Sequence, residues 1–212
     1  MSVKPIFFAL DGKHLDNFSR ELEILKGNIY GVKVGLEMFT SEGPSSVEKL
    51  KKDGWTVFLD LKLHDIPNTV QAAAISAGNI GADYLTIHIA SGKEALLAAK
   101  ESKPENLKLL GVSTALTSKA YSPEISQRVY EEFLLAKESK IDGVICPPSE
   151  LFKTKELFAL IVTPGIRLKN DDSHDQKNIT TPEKAIRDGA SYLVMGRSIR
   201  QNINYVVEKL KL

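Results

Sequence analysis

Cysteine occurs once in these 212 residues, at position 146, so no internal disulfide can staple the fold and a reducing compartment suits the chain. Neither sign of charge is in excess. Lys and Arg number 28 against 27 Asp and Glu, which removes the global field that binding to nucleic acid or to an anionic membrane surface would use. No apolar run approaches the length of a membrane span, and the first residues carry no charged-then-apolar leader. The expected location is therefore cytoplasmic, and the glycosylation patterns at Asn17 and Asn178 carry no weight. His14, His64 and His174 lack metal-ligand spacing with one another, so no metal is predicted. Linkers and low-complexity tracts are missing too, which leaves one domain over 1–212.

What is present is a regular alternation. With 42% hydrophobic and 26% charged residues, the chain can bury one substantial core. Apolar runs predict strands at Pro5–Leu10, Ile29–Val34, Thr56–Leu63, Tyr84–Ile89, Leu107–Ser113, Gly143–Cys146, Phe158–Val162 and Tyr192–Met195. Leu15, Phe18, Leu22 and Leu25 recur at helical spacing after the first strand. Further helices are expected over 45–52, 69–80, 93–100, 127–137, from Thr181 or Pro182 to Asp188, and over 199–210, with a brief one after Pro148. Asn68 is a candidate cap and Gly81 a candidate stop for the helix over 69–80. Eight strands alternating with helices predict an α/β fold with a parallel sheet, closed as a (β/α)8 TIM barrel. An open doubly wound sheet is the alternative, but no strand is followed by the Gly-x-Gly-x-x-Gly turn of its dinucleotide-binding form.

The stretch Thr56–Thr69 stands out within this pattern. Its strand reads as buried on both faces, yet Asp60 and Lys62 interrupt it. Alternation turns these two to one side and Leu59, Leu61 and Leu63 to the other; Asp65 follows where Ile66-Pro67 ends the strand. Charges in a buried strand are costly unless paired, so Asp-x-Lys-x-x-Asp predicts a mutually neutralising network. A lysine between carboxylates keeps its charge, which suits a proton donor. A purely structural ion pair at a strand end is the competing reading.

In such barrels chemistry sits at the C-terminal strand ends. Those ends hold Asp11, Lys33, Asp60 with Lys62, His88, Thr117, the run Pro164-Gly-Ile-Arg167, and Gly196-Arg197. Each alone has an ordinary explanation: Asp11 as a helix cap, Lys33 as a solvated end, His88 as a hydrogen-bonded interior histidine. Together they predict a polar site that a purely structural barrel has no need of. Gly196, with accessible backbone N–H groups and a helix starting at Ser198, makes an anion site to which Arg197 adds a guanidinium. The polar segment 167–181 is long for a compact domain and lies beside that site, which suggests a closing lid.

These residues, taken in order along the whole chain, resemble the orotidine 5′-phosphate decarboxylase family. The sharpest element is Asp60-Leu-Lys-Leu-His-Asp-Ile-Pro-Asn-Thr69; Lys33-Val-Gly35, Thr163-Pro-Gly-Ile-Arg167, Asp175-Gln176, Thr181-Pro182 and Gly196-Arg197-Ser198 add to it. The resemblance implies cofactor-independent decarboxylation of orotidine 5′-phosphate to UMP, the last step of UMP biosynthesis. Lys62 would protonate C6 of the pyrimidine, Asp60 would lie near the departing carboxylate, and Lys33, Asp60, Lys62 and Asp65 would form a chain of alternating charge. It further implies a homodimer in which Asp65, Ile66 and Thr69 enter the partner's site. Asp11 and Lys33 would hold ribose hydroxyls, Thr117 would face the pyrimidine edge, and Gln176 and Arg197 would grip the phosphate. Pro164, Arg167 and Gly196 complete the implied substrate contacts. Two segments, Asp11-Gly-Lys-His14 and Ala115–Pro123, are shorter than in many relatives. A Mg²⁺-dependent sugar-phosphate enzyme of the same superfamily is the nearest rival, though such relatives tend to carry an acidic residue in place of Lys33. A catalytically silent nucleotide-binding barrel is the rival from another class.

Overall fold

Side-chain alternation in the strands separates two apolar clusters, and that separation builds the fold. The computed structural model describes residues 3–114, 122–168 and 180–212. Its strands are β1 (Lys4–Leu10), β2 (Ile29–Gly35), β3 (Val57–Leu63), β4 (Tyr84–His88), β5 (Lys108–Val112), β6 (Gly143–Ile145), β7 (Ile161–Thr163) and β8 (Tyr192–Met195). All pair in parallel and in sequence order, and β8 returns to β1, so the barrel is closed and the open sheet is excluded. One cluster, with Ile6, Phe8, Val32, Val34, Val57, Leu59, Leu85 and Ile87, packs the outer face of the strands against the helices. The other, with Phe7, Phe58, Tyr84, Leu110, Val112, Ile145 and Val162, fills the interior. At the N-terminal end of the barrel the Tyr30 and Tyr84 hydroxyls meet at 2.8 Å, and Tyr30 stacks on Tyr192 at 4.3 Å between ring centres. This floor leaves the opposite end for polar residues.

The helices are α1 (Ser19–Leu25), α2 (Leu36–Glu42), α3 (Pro44–Lys52), α4 (Pro67–Asn79), α5 (Lys93–Ser102), α6 (Pro123–Glu138), α7 (Leu151–Thr154), α8 (Pro182–Asp188), α9 (Arg197–Gln201) and α10 (Ile203–Glu208). Four expectations need correction. Helix α2 lies in a stretch, 36–42, for which the sequence predicts no element; Gly43, at φ 64°, separates it from α3, which starts on Pro44. Helix α4 starts on Pro67, whose fixed φ suits the first helical position, so Asn68 lies inside the first turn and does not cap it. The expected long C-terminal helix is broken at Asn202, and β7 begins at Ile161 because Leu157 and Phe158 still bond back to Thr154. The stop at Gly81 holds, its N–H bonding to the Gly78 carbonyl at 3.0 Å.

A repeated device fixes strand register at the N-terminal end. The residue just before β4, β6 and β8 accepts from a backbone N–H near the start of the preceding strand. Asp83 takes Val57 at 2.7 Å, Asp142 takes Leu109 at 2.9 Å, and Ser191 takes Ile161 at 3.0 Å. Lys51 also pairs with Asp83, and Lys100 with Asp142. Asp83→Ala removes both partners of this clamp and is expected to cost about 1–3 kcal/mol. In a thermal melt that is a fall of several degrees, roughly 2–4 °C per kcal/mol for a chain of this size.

Candidate active site

The C-terminal strand ends bring four charges into one row. Asp11 follows β1, Lys33 lies on β2, and Asp60 and Lys62 lie on β3. The Lys33 ammonium is 3.4 Å from Asp11 Oδ1 and 3.6 Å from Asp60 Oδ2, and Lys62 Nζ is 2.8 Å from Asp60 Oδ1. The signs alternate along the row, and Asp60 is the carboxylate shared by two ammoniums. Burial alone would raise the Asp60 pKa; the charges of Lys33 and Lys62, with hydrogen bonds from Lys62 and Thr86, outweigh it and hold the carboxyl below its ordinary value. Lys33 and Asp60 are 11% and 14% exposed at the side chain but Lys62 is 30%, so the outer ammonium of the row stays reachable.

Asp65 does not join this row within its own chain. The sequence reading set Lys62 between two carboxylates; the structure sets a carboxylate between two lysines. The backbone explains the difference. Lys62 has φ 53°, a left-handed conformation uncommon outside glycine, and the chain then turns away. Asp65 is exposed, and its Oδ1 accepts from the N–H of Ile66 at 2.7 Å. Ile66 is 65% exposed and Thr69 is exposed at the start of α4, so the three residues assigned by resemblance to a partner's site lie on the outer surface.

The row forms one wall of a cavity of about 230 Å³. Phe58 and Ala9 line it beneath the charges. Ile145 of β6 and Val194 of β8 continue the apolar lining, while Pro164, Gly165, Arg167, Gly196 and Arg197 complete the rim. Gly196 leaves room for Asp11: a Cβ there would sit 3.1 Å from Asp11 Oδ2, so that carboxylate would have to give by a few tenths of an ångström. The helix after it begins at Arg197, ahead of both Ser198 and the expected span 199–210, and Ser198 is buried. Arg197 is exposed at the rim, whereas Arg167 is buried and donates to the Ile166 carbonyl at 2.9 Å. Thr180 ties down the rim, its carbonyl accepting from Arg167 N–H at 3.0 Å and its N–H donating to Gly165 at 3.2 Å. Thr117, Gln176 and most of the segment 167–181 lie outside the described residues.

Two residues of β4 complete the surroundings. Thr86, fully buried, accepts from the backbone N–H of Lys62 at 2.8 Å and lies 3.0 Å from Asp60 Oδ1, to which its hydroxyl donates. The sequence reading passed over it, although the alternation that turns His88 inward turns Thr86 inward too. His88 does not line the cavity. Its ring lies 5.3 Å from that of His64, and its Nδ1 is buried with no hydrogen-bond partner among the described residues. Burial, then the neighbouring His64 and Lys62 charges, lowers its pKa. Cys146 is core, its thiol pushed up to about 12 by burial.

Fold and site together define a (β/α)8 barrel with a row of alternating charges along one cavity wall and a cationic rim. A family description, orotidine 5′-phosphate decarboxylase / HUMPS family, matches residues 4–210. An orotidine 5′-phosphate decarboxylase of Fusobacterium nucleatum is 40% identical over 95% of this chain and 91% of its own length, and one of Halalkalibacterium halodurans is 40% identical over 93% and 92%. The crystal structure of orotidine 5′-phosphate decarboxylase from Lactobacillus acidophilus superposes with a TM-score of 0.77 at 33% identity, covering 93% of this chain and 92% of that one. The chain belongs to the orotidine 5′-phosphate decarboxylase / HUMPS family, and the class of its curated relatives, carboxy-lyase, is its class. Among the described residues no helix is long and apolar enough to cross a membrane.

Proposed function

We propose that this chain decarboxylates orotidine 5′-phosphate to UMP without a cofactor, Lys62 delivering the proton to C6. The observation that carries the reading is the Asp11–Lys33–Asp60–Lys62 row along one wall of the cavity. When the bond from C6 to the carboxylate breaks, carbon dioxide leaves and the electron pair stays in a ring orbital that cannot delocalise it. A preorganised ammonium facing that carbon stabilises the developing charge and then supplies the proton. Asp60 fixes the ammonium at 2.8 Å and is itself fixed by Lys33 and Thr86, so little reorganisation is left for the reaction.

In this reading Asp11 and Lys33 would receive ribose hydroxyls. Arg197 and the backbone at Gly196 would receive the phosphate, far from the bond that breaks; binding there would supply energy for ordering the site. The exposed Asp65, Ile66 and Thr69 suit contributions to a second subunit, and Ile66 and Leu36, 65% and 53% exposed, provide apolar surface for such a contact. The family description also names HUMPS; the alternative to weigh is a Mg²⁺-dependent sugar-phosphate enzyme of the same superfamily. Lys33 opposes that alternative here, because its ammonium occupies the space between the Asp11 and Asp60 carboxylates that a divalent ion would share.

The test is the ultraviolet absorbance change of orotidine 5′-phosphate with purified protein in excess EDTA. Turnover unchanged by EDTA is expected. Turnover that EDTA abolishes, or none with this nucleotide, overturns the reading.

A further inference from the structure

Lys62 sits at φ 53°, where a lysine has no intrinsic preference to be, so its neighbours must hold it there. The β3–β4 ladder shows where the hold is exerted. Leu59 pairs with Leu85 and Leu63 with Ile87, so four steps along β3 match two along β4, and β3 carries an extra pair of residues opposite Thr86. Within this bulge the Lys62 N–H has as its acceptor the Thr86 hydroxyl, at 2.8 Å. The same oxygen gives its proton to Asp60 Oδ1 at 3.0 Å, and that carboxylate oxygen also receives the Lys62 ammonium at 2.8 Å. A hydroxyl has one proton to give and lone pairs to accept with, so one buried side chain joins the lysine's backbone to the carboxylate that holds its tip.

We propose that Thr86 is a positioning residue for the reaction: its hydroxyl sustains the left-handed turn at Lys62 and the orientation of Asp60, and so aims the ammonium into the cavity. The role rests on Lys62 as the proton donor proposed above. A valine in place of Thr86 would fill the same space yet leave the Lys62 N–H without its acceptor and Asp60 without one donor. The turn would lose the contact that opposes its relaxation toward ordinary strand geometry, and the ammonium would move with it.

Three variants and two readouts test this. Thr86→Val is expected to lower kcat about a hundredfold, the scale of a misplacement near 1 Å. KM should stay within about threefold, because the ribose and phosphate contacts lie elsewhere. Thr86→Ser keeps the hydroxyl and is expected to recover kcat to within about threefold of wild type. Should the valine variant fail to fold, Thr86→Ala removes the hydroxyl without crowding the site and is read in its place. Crystal structures of the unliganded variants give the second readout: Lys62 at positive φ on Asp60 in Thr86→Ser, relaxed away from it in the hydroxyl-free variant. Unchanged kcat without the hydroxyl, Lys62 still at positive φ and bound to Asp60 without it, or a serine variant as slow as the valine one each overturns the proposal. If the wild type did not turn over orotidine 5′-phosphate, the functional reading would fall, while the Lys62 conformation in the two variants would still decide the positioning role.

Discussion

Lys62→Ala is expected to lose turnover by about 10⁴-fold or more, since under the proposed reading it removes both the proton donor and the charge that would face C6. Binding of UMP should survive within about tenfold, because the lost interaction belongs mainly to the transition state. The scaffold should survive as well. Asp60 keeps Lys33 at 3.6 Å and Thr86 at 3.0 Å, so its carboxylate is not left buried without partners. One change in stability follows from the same row. The Asp60 pKa is lowered in the folded protein, so ionised Asp60 contributes stability above its unfolded pKa, and that contribution is lost as pH falls through the folded pKa. Removing Lys62 takes away part of the lowering. The acid unfolding midpoint should therefore move to higher pH in the variant. The measurements are single-turnover kinetics, equilibrium titration with UMP and acid unfolding followed by circular dichroism. A folded Lys62→Ala protein that keeps more than about a tenth of its activity would remove Lys62 from the role of acid.

The barrel was legible because its cause is local. Eight apolar runs separated by helical spacing leave few arrangements, and the observed strands differ from the expected ones by a few residues at their ends. Asp60 and Lys62 were legible for a different reason: two charges in an apolar strand need partners wherever the strand lies. Asp11, Lys33 and Gly196 followed from the rule that barrel chemistry gathers at C-terminal strand ends, and all three line the cavity. Thr86 was not legible in this way. Threonine is an ordinary strand residue, and its importance arises from a register slip between β3 and β4 that no pattern within either strand records. The same slip defeated the simple reading of Asp-x-Lys-x-x-Asp. Spacing counts residues along a regular strand, whereas the left-handed turn at Lys62 changes where the following residues go. Helix α2 was lost to a similar cause, because Gly35 marks the end of β2 and also the start of the next helix.

Mixing inactive Lys62→Ala with inactive Asp65→Ala is expected to restore activity. Asp65 lies three residues beyond Lys62, exposed, with its carboxylate turned to the Ile66 N–H and not toward the cavity of its own chain. If it serves a site, a second copy of the chain is where that site would lie. A two-fold dimer puts the same patch on both sides of the axis, so each of two identical sites would take Lys62 from one chain and Asp65 from the other. In a mixed dimer one site then collects both substitutions and the other has neither. Random exchange makes about half of the dimers mixed, each with one working site, so recovery should approach about a quarter of wild-type activity per chain. Exchange can be verified independently by tagging one variant and following co-purification of the other. A fully exchanged mixture that stays inactive would place Asp65 in the service of its own subunit, and with it Ile66 and Thr69 on the same turn.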